Sequence, residues 1–422
     1  MNDTNAKSNR LSRRDLLKLG GSGLGVMALS QLLPWTSKAA SGAPIDGLKR
    51  LVIINLEGGN DGLNMLVPVS LSRYYERRPT IAIAQDQTLP LTQGPGSVNY
   101  ALHPQLGNLQ ALWNESRVAF INKVGYPDAD FSHFVSEDVW SYGLRQATGN
   151  AQSGWIARFA DLYTASALDV VGVGMGRRKD FLGGSLNPFI VDRLDSFDVD
   201  VDWDYQRNHY LRVETVRALL GMSKATGREG EVRAAHAQAL GLVDQVKAAV
   251  DSYSTTVSYS GDYVSQRMQD IAILIQGGFE TKLFYTGYGG FDTHSGQLSD
   301  HDQQMARLDQ ALGAFVQDLK NMNVWKDTAI VIISEFGRNT FENGSAGTDH
   351  GAANCVTVLG GKVKGGIYGA DVTNGDMDQE YLSYAIDFRT VYSQLLQRHL
   401  AVDPAAVFTE ALEKNTSPGV FI

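Results

Sequence analysis

Thr328-Ala329-Ile330-Val331-Ile332-Ile333-Ser334-Glu335-Phe336-Gly337-Arg338 sets an unbroken apolar run directly against a carboxylate and a guanidinium. A run apolar at every position suits a strand covered on both faces, the situation of a parallel sheet with helices on either side. A second apolar run, Thr281 to Tyr285, is followed by Gly290-Phe291-Asp292-Thr293-His294, and Thr348-Asp349-His350-Gly351 comes later. In an open α/β sheet, polar residues just past strand ends gather at the carboxyl edge, where ligands bind. Histidine and carboxylate are also the ligand set that zinc or manganese accepts. The three blocks therefore read as one site and point to metal-assisted hydrolysis.

Working outward, strands are expected at Leu48 to Leu56, Thr80 to Ala84, Arg117 to Asn122, Asp169 to Gly174, Pro188 to Val191 and Cys355 to Leu359. Helical spacing marks Leu106 to Trp113, Phe131 to Tyr142, Glu214 to Leu219, Glu229 to Tyr253, Tyr263 to Ile275, Gln303 to Met322 and Ala385 to Leu400. This alternation predicts an α/β fold, a doubly wound, mainly parallel sheet flanked by helices. The stretch 192–260 reads either as a helical insertion or cap, or as part of the sheet's own helical layer.

Each chemistry-bearing residue has a structural role to weigh beside the functional one. Asp292 and His294 sit two apart in a segment too irregular for helix, so both can address one ion. Asp292 alone could instead cap a loop turn. Glu335 is either a ligand, with Arg338 facing an anionic substrate, or the partner of Arg338 in an ion pair at the sheet edge. His350 is read as a ligand, and Asp349 as a second ligand or a carboxylate that orients an imidazole. Ser132, ahead of a helix, is an N-cap or a nucleophile backed by the helix's positive end, with His133 beside it. Asn60 and Asp61 come after the first strand as a further ligand or as a glycine-flanked turn. His301, in an acidic helix start, is expected to face solvent.

The first 45 residues read as an address. Ser12-Arg13-Arg14-Asp15-Leu16-Leu17-Lys18 precedes an apolar, glycine-bearing stretch, Leu19 to Leu33, and then Ala39, Ala40 and Ala43. That is a twin-arginine export signal. The apolar run of about 15 residues falls short of the roughly 20 that a membrane span needs. Export in the folded state through the twin-arginine translocase implies a periplasmic or secreted protein that is not an integral membrane protein after cleavage. The single Cys355 cannot staple its own chain, and its apolar neighbours suggest a buried structural thiol. Residues 46–422 suffice for one large α/β domain or two smaller ones. A net charge of −9 offers no basic face, which excludes nucleic acid as an expected partner.

The order of these blocks resembles the alkaline phosphatase superfamily of phosphatases, sulfatases and cofactor-independent phosphoglycerate mutases. The resemblance implies Asp61 as first ligand, Ser132 as nucleophile, Asp292 and His294 as paired ligands, Glu335 as the next acid and His350 as the late histidine. More closely, the blocks Asn55 to Asn64, Ser132-His133-Phe134, Gly154-Trp155-Ile156-Ala157-Arg158, Phe291 to His294, Ser334 to Arg338 and Thr348 to Gly351 resemble an exported family, number 1501 among domains of unknown function. Two departures stand out. Glu335-Phe336 occupies the place where the phosphatases carry an Asp-His pair, and Asp61 lies past two glycines. One or two ions, zinc or manganese, or a lost site, are therefore all compatible with the resemblance. A sulfatase's oxidised nucleophile needs a Pro and an Arg after it, which neither Ser132 nor Cys355 has.

These residues support two expectations of function: an exported metal-dependent hydrolase of phosphate or related anionic esters, or a non-catalytic binding or assembly protein on the same fold.

Overall fold

The computed structural model describes residues 42–92, 98–145, 153–176, 178–198, 209–221, 226–410 and 419–421. The twin-arginine stretch lies outside the described residues. Two compact units emerge, one of them Ser37–Leu194 with Ala249–Ile422 and the other including Asp195–Ala248.

The larger unit is built on one sheet. Its strands are β1 (Arg50–Leu56), β5 (Val118–Gly125), β6 (Val170–Val173), β7 (Phe189–Val191), β8 (Leu283–Tyr288), β9 (Thr328–Ile333), β10 (Asn354–Gly360), β11 (Gly366–Gly369) and β12 (Ile386–Asp387). A separate small sheet uses β2 (Leu66–Val67), β3 (Leu89–Pro90) and β4 (Ala101–Leu102). The main order is β11-β5-β10-β9-β1-β8-β6-β7, with β12 beside β5. All pairings are parallel except those of β10, which runs antiparallel to both β5 and β9. This is the mostly parallel, helix-flanked sheet that the sequence predicts. Every residue of β1, β8 and β9 is buried, which is why their sequences run apolar rather than alternating.

Register explains how the site is assembled. β1 pairs with β8 on one side, Leu56 opposite Tyr288, and with β9 on the other, Asn55 opposite Ile333. The three strands thus end level, and the segments Glu57 to Asp61, Gly289 to His294 and Ser334 to Arg338 leave the same edge. The reversed β10 begins at that edge, so Thr348 to Ala353 arrives there too.

Three local readings change. Thr80 to Ala84 is irregular, although Ile81 and Ile83 are buried as an alternating strand would have them. Its N–H groups are taken by other partners: Thr80 and Ile81 by the Glu342 carboxylate at 2.8 and 3.0 Å, Ala82 by the Arg78 carbonyl and Ile83 by the Tyr74 hydroxyl. The helix expected from Gln303 begins earlier, at Gln297, and ends at Asn321. His301 is buried within it, with Nε2 3.0 Å from Asn60 Oδ1. Ala385 to Leu400 opens as β12, becomes a helix at Phe388–Gln394 and widens into a π turn at Leu395–His399.

In the smaller unit, one helix runs over His209–Gly221 and another begins at Gly227. Arg217 reaches Asp244 at 2.7 Å and ties the two together. Among the described residues, no helix is long and apolar enough to cross a membrane.

Candidate metal centre

Arg338 knits the edge together. Its guanidinium is buried and spends its donors on backbone of three different loops: Nε on Gly59 O (2.6 Å), Nη1 on Thr348 O (2.9 Å), and Nη2 on Phe291 O (3.0 Å) and Gly58 O. Nη2 also reaches Asp292 Oδ1 at 2.7 Å. The loops approach so closely that Gly58 and Gly59, both at positive φ, have no room for a side chain. A Cβ on Gly58 would lie 2.5 Å from Asp292 N, and one on Gly59 would strike the Phe336 ring.

Around Asp292 stand three imidazoles, each locked from behind. His350 Nδ1 lies 2.6 Å from the Phe131 carbonyl oxygen, His294 Nδ1 lies 3.0 Å from Asp349 Oδ1, and His133 Nδ1 lies 2.9 Å from Glu335 Oε1. A carbonyl or an ionised carboxylate can only accept, so in each ring Nδ1 carries the hydrogen and Nε2 presents a lone pair. Those lone pairs converge. His294 and His350 Nε2 are both 3.1 Å from Asp292 Oδ1 and 2.9 Å from each other. His133 Nε2 is 3.5 Å from Asp292 Oδ2 and is buried without a hydrogen-bond partner. His133, Asp292 and His350 each offer a donor atom, all within 4.8 Å of one another.

Several acceptors facing one another repel unless a cation or a proton stands between them. Imidazoles held by oxygens on their far nitrogens, beside a carboxylate, fit a divalent ion well. The electrostatics agree. Burial works against charge on Asp292, but the hydrogen bond and the positive charge of Arg338 outweigh it and hold the carboxyl at about 2. Burial is likewise overcome at Glu335, whose hydrogen bond with His133 holds its pKa below the usual carboxylate range. Asp349 is held low by Asn343 and His294. His133 is pushed up by its bond to Glu335, whereas burial pushes His350 down.

Asp292, His294 and His350 thus lie together, joined by His133, which the sequence marks for a role beside the nucleophile. Glu335 does not face the cluster. Its Oε1 accepts from Gly58 N at 2.8 Å and meets His133, and its Oε2 accepts from Ser334 Oγ at 3.1 Å. Asp349 orients His294. Neither role of Arg338 survives as read: it pairs with Asp292 rather than Glu335, and its buried donors are not free for an anion. Asp61 also departs from expectation. Its carboxylate is buried against Arg78 (2.6 Å) and Gln297 (2.5 Å) and caps the short helix Gly62–Met65 through Leu63 N. A buried carboxylate already neutralised by Arg78 and committed to these donors is not turned toward the imidazole cluster. Ser132 makes no capping bond with its side chain and stands half-buried between Phe131 and His133. Cys355 is half-buried, and burial pushes its thiol up to about 12, which leaves it a poor nucleophile.

Three contributors had no sequence signal. The Phe131 carbonyl and the Gly58 N–H are backbone groups whose role depends on distant partners. Asn343, whose Nδ2 reaches Asp349 Oδ1 at 3.1 Å and His294 O at 3.0 Å, sits in an Asn-Gly turn that reads only as a loop.

Glu335→Gln and Asp349→Asn should each weaken metal binding about 10- to 100-fold, the usual effect of losing the group behind a ligand. Competition against a chromophoric chelator measures this. Unchanged affinity in both variants would detach these carboxylates from the centre.

The chain belongs to the family described as "Protein of unknown function (DUF1501)", whose family model matches residues 121–415. Among curated proteins, none matches. Among solved structures, it is similar to the lipoteichoic acid synthase LtaP from Listeria monocytogenes, at 11% identity and a TM-score of 0.30. That match covers 74% of this chain but only 65% of the synthase. It is also similar to a protein in the alkaline phosphatase superfamily from Vibrio parahaemolyticus, at 12% identity and a TM-score of 0.37, covering 96% and 80% of the two chains. Alkaline phosphatase from the Antarctic bacterium TAB5 matches at 11% identity and a TM-score of 0.31, covering 79% of this chain and 96% of the enzyme.

Proposed function

We propose that this protein is an exported, metal-dependent hydrolase of small anionic esters, phosphate esters foremost. The observation that carries the reading is the convergence of three Nε2 lone pairs on Asp292, each imidazole fixed by an oxygen on its Nδ1. His133, Asp292 and His350 would hold the ion, with His294 as a further donor beside them. One zinc or manganese ion fits better than two, because the Glu335 oxygens that a second ion would need are engaged by Gly58, Ser334 and His133. Such an ion supplies charge neutralisation at the reacting ester.

The chain's own residues do the rest. Glu335, Asp349 and the Phe131 carbonyl keep the imidazoles in the tautomer that can bind, and Arg338 keeps Asp292 ionised. Ser132 is the attacking group. It opens the helix His133–Tyr142, whose positive end favours an alkoxide, and its side chain is not spent on capping. As its hydroxyl gives up its proton to solvent, its oxygen bonds to the ester phosphorus. The bond to the leaving oxygen breaks, and that oxygen takes up a proton to depart as the alcohol. Water then cleaves the phosphoserine to phosphate and the free serine hydroxyl.

The test pairs elemental analysis of protein purified without added metal with a broad ester screen of Ser132→Ala and His350→Ala. Ser132→Ala should lose turnover while keeping its metal and its melting temperature, since the side chain makes no capping bond to lose. Full activity in Ser132→Ala, against none in His350→Ala, would make water the attacking group. No turnover by the wild type on any ester would favour a binding protein.

Export rests on the paired Arg13-Arg14 and the apolar stretch Leu19 to Leu33 behind them. Replacing both arginines by lysine should leave the longer precursor in the cytoplasm. Normal export of that variant would point to another route.

A further inference from the structure

The segment that carries Ser132 and His133 also carries two aromatic side chains that the chemistry above does not use. Phe131 is 38% exposed and Phe134 is 80% exposed. Single exposed apolar residues are ordinary. These two are distinguished by where they stand. The carbonyl of Phe131 locks His350, and Phe134 comes directly after His133, so the rings flank the stretch that supplies both the nucleophile and an ion-binding imidazole. Phe131 is braced by Tyr381, with ring centroids 5.0 Å apart and planes at 62°, so part of the rim is already ordered. Beneath the imidazoles lies a third ring, the buried Phe336, 4.9 Å from His133 and 4.6 Å from His350. Polar capacity at the centre lies in Asp292 and the histidines, while Phe131 and Phe134 add exposed aromatic surface to the segment beside them, after the exposed Asp130.

We propose that Phe131 and Phe134 determine specificity by receiving an aromatic group on the organic side of the anionic ester, whose charged end meets the metal centre. The inference rests on the hydrolase reading and narrows its substrate class to aryl or arylalkyl esters. An aromatic group resting on Phe134 removes both surfaces from water and gains from edge or offset ring contact. A ring gained in this way is worth on the order of tenfold in affinity. A small hydrophilic ester would gain nothing from the rim.

The experiment uses the full metal-loaded protein and two non-hydrolysable probes with the same charged head, phenylphosphonate and methylphosphonate, titrated by calorimetry. Phenylphosphonate should bind about tenfold more tightly. In Phe134→Ala that preference should fall toward one, with metal content and melting temperature unchanged, because Phe134 holds neither the ion nor the core. Phe134→Leu, which keeps apolar area and loses the ring, should fall between. Equal affinity of the two phosphonates for the wild type, or a preference untouched in Phe134→Ala, overturns the proposal and leaves the hydrolase reading standing. If neither phosphonate binds protein that retains its metal, the anionic-ester reading fails and this inference falls with it.

Discussion

Asp292→Asn should abolish the divalent-ion binding proposed for this centre. The carboxylate stands between the Nε2 atoms of His294 and His350, 3.1 Å from each, and its second oxygen faces His133. Asparagine keeps the size but removes the charge that gathers the three rings. Loss of a group behind a ligand costs about 10- to 100-fold in affinity, so loss of the central ligand should exceed 100-fold. The fold should survive, since Asp292 lies at the sheet edge with nearly half of its side chain exposed. Protons compete for the same nitrogens, and Glu335 raises the affinity of His133 for one. Wild-type metal binding should therefore weaken as the pH falls. Chelator competition at several pH values reads both effects, and a variant that binds as tightly as wild type would remove Asp292 from the centre.

Arg338→Met should be the most damaging single change to stability. The buried guanidinium joins Gly58, Gly59, Phe291 and Thr348 carbonyls to the Asp292 carboxylate. Methionine fills much of the volume but leaves several buried acceptors unpaired. Breaking a buried charged cluster from one side costs about 3–5 kcal/mol. Lysine should rescue little, because a single ammonium cannot copy a planar fork of donors. Urea unfolding measures the loss, and a change below about 1 kcal/mol would show that the loops hold together without the clamp.

The contrast between those two residues shows what a sequence can convey here. β1 and β9 were readable because strands buried on both faces leave continuous apolar runs, and residues just past their ends must share an edge. The grouping of Asp292, His294 and His350 came from that placement. The reversal of β10 was not readable, since an apolar strand looks alike in either direction. Asp61 misled because a carboxylate in a glycine-rich turn looks the same whether it awaits an ion or is already paired; Arg78, its partner, is 17 positions away. Arg338 misled for a related reason. Its neighbours in sequence suggested Glu335 or a substrate, whereas its partners are backbone oxygens of other loops. His133 could be seen as reactive, but its place in the imidazole cluster depends on Glu335, 202 positions away.

Anomalous diffraction from crystals of the wild-type protein grown with zinc tests the central claim most directly. A single strong peak per chain is expected, roughly 2.0–2.2 Å from His133 Nε2, His350 Nε2 and a carboxylate oxygen of Asp292. A zinc peak lying elsewhere, or none while His133, Asp292 and His350 keep their present arrangement, would contradict it.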